Sequence, residues 1–152
     1  MPYHFFHSAT SLAIGATASL LLLAGCGGSP GEDVRVTLCK DIVAVQAGGA
    51  VSIQSASAQT RGYQDAIVRV RYDRGGNPGE AICYFPYRAV DDTGQTLADP
   101  LSAYGTSPTG VTFDGQPLSG PQLAEAIRQA MLRQGRAAAD RARSAVQQAI
   151  GR

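Results

Sequence analysis

Residues suited to acid–base, nucleophilic or metal chemistry are few in this chain, and their positions exclude several kinds of site. They include two histidines and three cysteines: His4, His7, Cys26, Cys39 and Cys83. Both histidines precede an uncharged apolar run at 12–25. That run is about 21 Å long as a helix, which suits a secretory signal peptide better than a membrane span. Removal of residues 1–25 would leave no histidine, so we expect neither a histidine-activated nucleophile nor a His-ligated metal site.

The apolar run ends in Leu23-Ala24-Gly25-Cys26. At every position this tetrapeptide resembles the lipobox of bacterial lipoproteins, a likeness that covers only the first 26 residues or so. The resemblance implies that a diacylglycerol is attached to the Cys26 thiol and that a type II signal peptidase cuts after Gly25. The new amino group would then be acylated. An ordinary secreted protein with a chance cysteine after its cleavage site is the alternative.

Two neighbouring segments bear on this interpretation. Residues 1–11 contain no Lys or Arg, whereas the amino-terminal region of a signal peptide is normally basic. Residues 26–32 are rich in Gly and predict a flexible tether. Residue 27 is Gly rather than the Asp that retains enteric lipoproteins at the inner membrane. The resemblance therefore favours the outer membrane, with the domain facing the periplasm.

The expected bound groups and partners follow from the anchor and from the charge. The diacylglycerol and N-acyl chains on Cys26 are the only attached groups expected, with no other cofactor and no metal. The membrane is one partner, through the anchor, and an envelope protein is a candidate second. A formal net charge of +1 gives no argument for nucleic acid.

Cys39 and Cys83 form an even pair in a chain expected to fold in an oxidising compartment. A disulfide between them is the first expectation. Closing a loop of about 44 residues restricts the unfolded chain by roughly 3 to 4.7 kcal/mol. Two buried free thiols are the alternative, while the wide spacing argues against a redox pair.

The rest of the sequence predicts one α+β domain at 33–135. It consists of an amino-terminal helix, an antiparallel meander of three to four strands, and a long carboxyl-terminal helix whose Arg/Ala-rich end is 136–152. The first helix is predicted over 33–47, where apolar residues recur on one face at Val34, Leu38, Ile42 and Val45. Alternation within 34–38 leaves a strand as the other interpretation of its first part.

The meander is predicted from alternating apolar residues. A weak strand at 51–58 precedes a clearer one at 63–72, whose inward face carries Ala66, Val68, Val70 and Tyr72. The turn-rich segment 74–79 leads to a strand at 81–87, whose inward face carries Ala81, Cys83, Phe85 and Tyr87. Pro86 indicates that this strand ends early or lies at an edge. Residues 91–120 predict loops, with a small hairpin about Asp114-Gly115.

The carboxyl-terminal helix is the most distinctive candidate for a function. Ser119 or Gly120 is predicted to cap its amino end, with Pro121 at its first position. Its predicted apolar stripe is Leu123, Ile127, Ala130 and Met131. Two acidic residues accompany six arginines: Arg128, Arg133, Arg136, Arg141, Arg143 and Arg152. The first five are the candidate contacts for anionic lipid or polymer, at about 1 kcal/mol per well-placed Arg. A solvated helix face is the simpler interpretation.

Other candidate sites are weaker. Asp91, Asp92 and Asp99 lack the spacing of a calcium loop and are expected to be turn residues. The aromatic residues could line a ligand groove, although packing within the sheet is the simpler expectation: Tyr63, Tyr72, Tyr84, Phe85, Tyr87 and Tyr104. The globular part is similar to small exported lipoproteins of Gram-negative bacteria, which adds no site residue. The leading hypothesis is a non-enzymatic envelope lipoprotein that binds a protein or envelope component.

Overall fold

A computed structural model describes residues 31–48, 50–88 and 97–151. Within them the chain forms two α-helices and a five-stranded antiparallel sheet. The elements are α1 (Val34–Gln46), β1 (Ser52–Arg61), β2 (Gln64–Arg74), β3 (Asn77–Phe85), β4 (Gly110–Phe113), β5 (Gln116–Pro117) and α2 (Gly120–Ile150), with a 3₁₀ helix at Pro100–Ala103. The α+β arrangement predicted from the sequence is therefore confirmed.

Helix α1 confirms the helical interpretation of its segment and excludes the strand. Asp33 caps its amino end, because its carboxylate accepts a hydrogen bond from the backbone N–H of Arg35 at 2.7 Å. Gly48 follows the helix with a φ of +66°, which a side chain would strain. The buried face differs from the predicted one, since Val34 is half exposed while Val36 and Val43 are buried. The face of α1 that packs against the rest of the domain is therefore shifted by about one residue from the predicted apolar stripe.

The sheet is a meander in which each strand pairs with the next one in the chain. It has five strands rather than the predicted three to four, because the small hairpin at 110–117 pairs with β3 and extends the sheet. The inward faces predicted for the two central strands are correct except at Tyr87, which lies beyond the end of β3 and is only partly buried. Their buried side chains are Ala66, Val68, Val70, Tyr72, Ala81, Cys83 and Phe85. Because β3 pairs on both sides, Pro86 marks the end of the strand and not an edge.

Two tight turns set the register of the meander. Gly75 and Gly76 join β2 to β3, with φ angles of +61° and +89°. The segment predicted as a six-residue turn therefore contains only a two-residue turn, and β3 begins at Asn77. Asp114 and Gly115 join β4 to β5 with positive φ angles, as the Asp-Gly signal predicts.

The core lies between α1, the first part of α2 and one face of the sheet. A disulfide joins Cys39 on α1 to Cys83 on β3, with the two Cα atoms 6.1 Å apart. Both cysteines are fully buried. The predicted pair is thus present, and it attaches α1 directly to the middle of the sheet.

Candidate functional site

Local sequence determines where helix α2 starts and which face it buries. Ser119 is the amino-terminal cap, and its backbone N–H donates to Oε1 of Gln122 at 2.9 Å. Leu123, Ala126 and Ala130 then face the domain and are buried. Met131 was predicted to belong to this stripe, but 61% of it is exposed. The first part of α2 buries small residues, so its backbone can pack closely.

Polar contacts attach α2 to α1. Asp41 forms an ion pair with Arg133, with Nε 3.2 Å from the carboxylate, and accepts a hydrogen bond from the side-chain amide of Gln134 at 2.9 Å. The carboxylate is 19% exposed, so these contacts are better shielded from water than a surface ion pair. They are the last polar contacts between the two helices along α2 within the described residues.

A groove of about 450 Å³ lies between the end of α1 and α2. Its apolar lining comes from Val45 and Leu132, and its polar lining from Gln129 and three arginines: Arg128, Arg133 and Arg136. An anionic group with a short apolar portion would match this combination of side chains. The structure therefore brings together three of the five predicted arginines, and leaves Arg141 and Arg143 outside the groove.

Several of these arginines already form ion pairs with carboxylates of the same chain. Arg128 hydrogen-bonds to Glu125 at 2.8 Å, and this contact lowers the pKa of Glu125 to about 2. Arg143 pairs with Asp140 at 3.2 Å. Among the described residues, Arg136 and Arg141 have no such ion pair. The positive potential of the helix is therefore weaker than a count of arginines suggests.

The distal segment of α2, residues 138–151, leaves the domain. Every residue in it is exposed. At 1.5 Å per residue it extends about 20 Å beyond the packed part of the helix. Val146 and Ile150 expose 57% and 81% of their surface, although they are the largest apolar residues of the segment. The sequence predicts weak burial here, and the structure adds that the helix continues to Ile150.

The remaining predicted site residues fall into two groups. Cys26 and the lipobox residues Leu23, Ala24 and Gly25 lie outside the described residues, as do Asp91 and Asp92. Asp99 is described, and its carboxylate accepts from the backbone N–H of Leu101 at 3.0 Å at the start of the 3₁₀ helix. It is therefore the turn residue that the sequence indicates.

The contacts between described aromatic rings fall into two clusters and do not form one groove. Tyr72 stacks on Phe113 with ring centres 5.2 Å apart, and its hydroxyl donates to Asp114 at 2.7 Å. Burial and this hydrogen bond raise the pKa of Tyr72 above its usual value. Tyr87 contacts Tyr63 and Tyr104 edge to face at the far end of β3.

Sequence reasoning missed the role of Arg35. Its side chain is 6% exposed and forms an ion pair with Asp33 at 2.8 Å. It also donates to the carbonyl oxygens of Tyr104 at 2.6 Å and Gly105 at 2.9 Å. The one available signal in the sequence was an arginine between two valines, Val34 and Val36, which by itself predicts nothing about its partners.

Two further observations limit the chemistry of the described part of the chain. It contains no group of three or more His, Cys, Asp or Glu side chains placed to hold a metal ion. Neither of its helices is long and apolar enough to cross a bilayer. Comparison of the chain with protein-family models, curated proteins and solved structures finds no match.

Proposed function

We propose that this protein is a lipid-anchored envelope protein whose domain binds another envelope component without catalysing a reaction, and that the distal segment of α2 is its binding element. The observation that carries the proposal is the exposure of Val146 and Ile150 on a helix that continues beyond its own domain. Val146 and Ile150 are four residues apart, so they lie on the same face of the exposed helix and form one small apolar surface. An amphipathic helix of this kind is a common recognition element in protein complexes.

The anchor is supported by the lipobox and by the disulfide. Leu23-Ala24-Gly25-Cys26 follows an apolar run of signal-peptide length. The buried bond between Cys39 and Cys83 fits a protein that folds in an oxidising compartment such as the periplasm. With two or three acyl chains on Cys26, membrane attachment would be effectively permanent.

A second candidate function is contact between α2 and an anionic lipid or envelope polymer. The groove that contains Arg128, Arg133 and Arg136 favours it, because three guanidinium groups line one opening. Existing ion pairs of Arg128 and Arg133 reduce the charge available there. We therefore favour a protein partner that covers the apolar residues of the distal segment.

Photo-crosslinking in cells tests the proposal. A photoreactive phenylalanine analogue at Val146 should yield a discrete protein adduct, identified by mass spectrometry. The matched control places the same analogue at Asn77, which is exposed on β3. Equal adducts at the two positions, or none at Val146, would contradict the proposal.

Two further measurements separate the anchor from the second candidate. The intact mass of the membrane fraction, with and without reductant, reports cleavage before Cys26, the number of acyl chains and the disulfide. Replacement of the six arginines from Arg128 to Arg152 by glutamine should leave binding to anionic vesicles unchanged if the partner is a protein. A large loss of salt-sensitive vesicle binding would support the second candidate instead.

A further inference from the structure

The start of α1 and the turn between β1 and β2 lie at the same end of the domain. Arg35, in the first turn of α1, donates to the carbonyl oxygens of Gly105 at 2.9 Å and Tyr104 at 2.6 Å. The hydroxyl of Tyr104 in turn donates to the carbonyl oxygen of Gly62 at 2.6 Å. Gly62 and Tyr63 form the turn. Tyr104 thus connects the amino end of α1 to the β1–β2 turn.

That end of the domain carries an exposed aromatic side chain. Tyr63 is 87% exposed, the largest exposure among the large hydrophobic residues described. Its ring contacts Tyr87 edge to face at 5.4 Å, and Tyr87 contacts Tyr104 at 5.5 Å. An aromatic ring with a hydroxyl group is suited to the boundary between lipid and water. The ring of Tyr63 therefore packs on Tyr87, which in turn packs on Tyr104.

The charges around this turn do not oppose an anionic surface. Arg61 and Arg88 are exposed, and Asp65 is the nearby carboxylate on β2. Glu32 and Asp33, at the start of α1, already pair with Lys40 at 2.6 Å and Arg35 at 2.8 Å respectively. Counting only the described residues, two arginines and one carboxylate without an ion pair lie near Tyr63 at this end of the domain.

The length of chain before α1 restricts which end can face the membrane. Seven residue-to-residue steps lead from Cys26 to Asp33, with six residues in between. Even fully extended they span at most about 25 Å. The 11 residues of β2 place the turn at Gly75 and Gly76 about 35 Å from the turn at Tyr63. If the far turn rested on the membrane, Asp33 would lie beyond the reach of the chain from Cys26.

We propose that the end of the domain formed by Tyr63, Tyr87, Arg61 and Arg88 docks on the membrane that holds the lipid of Cys26. The ring of Tyr63 then lies among the lipid head groups, and the two arginines contact their phosphates. Docking fixes the orientation of the domain on the membrane. This inference rests on the proposed anchoring at Cys26.

The test uses the full chain, which contains no tryptophan. Tyr63→Trp introduces a single tryptophan at the proposed docking end, and Asn77→Trp introduces a matched one at the opposite end of the sheet; both are excited selectively over tyrosine. Each lipidated protein is reconstituted in vesicles of phosphatidylethanolamine and phosphatidylglycerol, with or without brominated acyl chains. Far-ultraviolet circular dichroism and the mass of the disulfide-bonded form confirm that each variant folds.

We expect the Tyr63→Trp protein to emit at a shorter wavelength than the Asn77→Trp protein, and brominated lipid to quench it about twofold while leaving the control unchanged. Equal quenching of the two proteins would overturn the orientation. The intact mass of the same samples separates the two proposals. If Cys26 carries lipid and the Tyr63→Trp protein is unquenched, only the docking inference fails. If Cys26 carries no lipid and the protein stays soluble, the anchoring proposal fails, and the docking inference fails with it.

Discussion

Helix α1 lies against the sheet along its length, whereas α2 contacts the domain only through its first part. Of the 13 residues of α1, six are buried. The disulfide attaches α1 to the sheet, and buried Arg35 attaches it to the loop that contains Gly105. Of the 31 residues of α2, three are buried. The difference indicates that α1 contributes to stability and that the distal segment of α2 is available for contact with a partner. Mutations in the two helices should therefore change different properties.

The largest effect is expected from removal of the disulfide. Replacing Cys39 and Cys83 together by alanine should lower the free energy of unfolding by about 4 kcal/mol, because the bond closes a loop of about 44 residues in the unfolded chain. Urea unfolding followed by circular dichroism measures it. Unfolding of the unsubstituted protein in the presence of reductant is the matched control and should reproduce most of the loss, because the buried bond becomes accessible to reductant as the chain unfolds. A change below about 1 kcal/mol would show that α1 is held mainly by packing.

Arg35→Met should cost about 3 kcal/mol, at the low end of the range for a broken buried ion pair, because Asp33 keeps some exposure. The substitution also leaves the carbonyl oxygens of Tyr104 and Gly105 without their side-chain donor. Urea unfolding again provides the measurement. Arg141→Met is the control on α2, and it should change stability by less than about 0.5 kcal/mol. Equal losses for the two variants would remove the distinction between the helices.

Tyr72→Phe tests the packing of the sheet on which α1 lies, and should cost about 1.5 kcal/mol through the lost bond to Asp114. Because the pKa of Tyr72 is raised on folding, the neutral phenol contributes stability that is complete below the unfolded pKa of about 10. That contribution is lost as the pH rises towards the folded pKa. Urea unfolding at a series of pH values above 9 should show a steeper loss in the native protein than in Tyr72→Phe. Parallel curves for the two proteins would contradict the raised pKa.

The success of the sequence predictions followed the strength of local patterns. Alternation in β2 and β3 and the Asp114-Gly115 turn are each determined by a few neighbouring residues and were predicted correctly. The start of α2 was predicted to within one residue: Ser119 is one of the two caps that the sequence offered, and Pro121 is the second helical residue rather than the first. The face of α1 was partly wrong, since burial depends on where the sheet lies relative to Val34. Arg35 was missed for the same reason, because its acceptors at 104 and 105 are distant in sequence.

For the candidate site, the sequence predicted the arginines but not their arrangement. Arg128 and Arg133 were counted as available charges, yet Glu125 and Asp41 pair with them. The pair with Asp41 joins two helices and could not be anticipated without knowing how they pack. Local composition did predict weak burial after Gly135, because alanine offers little apolar surface.

The smallest effect on stability is expected from a stop codon in place of Ala138, which removes the distal segment of α2. Since every described residue of that segment is exposed, the free energy of unfolding should change by less than about 0.5 kcal/mol. A stop codon in place of Arg133 is the matched control. It also removes the contacts of Asp41 with Arg133 and Gln134, and should cost at least about 1 kcal/mol. Thermal unfolding compares the two.

The same pair of truncations connects stability to partner binding. The chain ending at 137 keeps the groove arginines and the packed part of α2, so it retains the fold while losing Val146 and Ile150. With a photoreactive analogue at Leu132 as a common probe, the native protein should form a partner adduct that the chain ending at 137 does not form. If both proteins form it equally, the groove and not the distal segment recruits the partner. In that case the exposure of the apolar residues beyond Ala137 is not explained by binding of this partner.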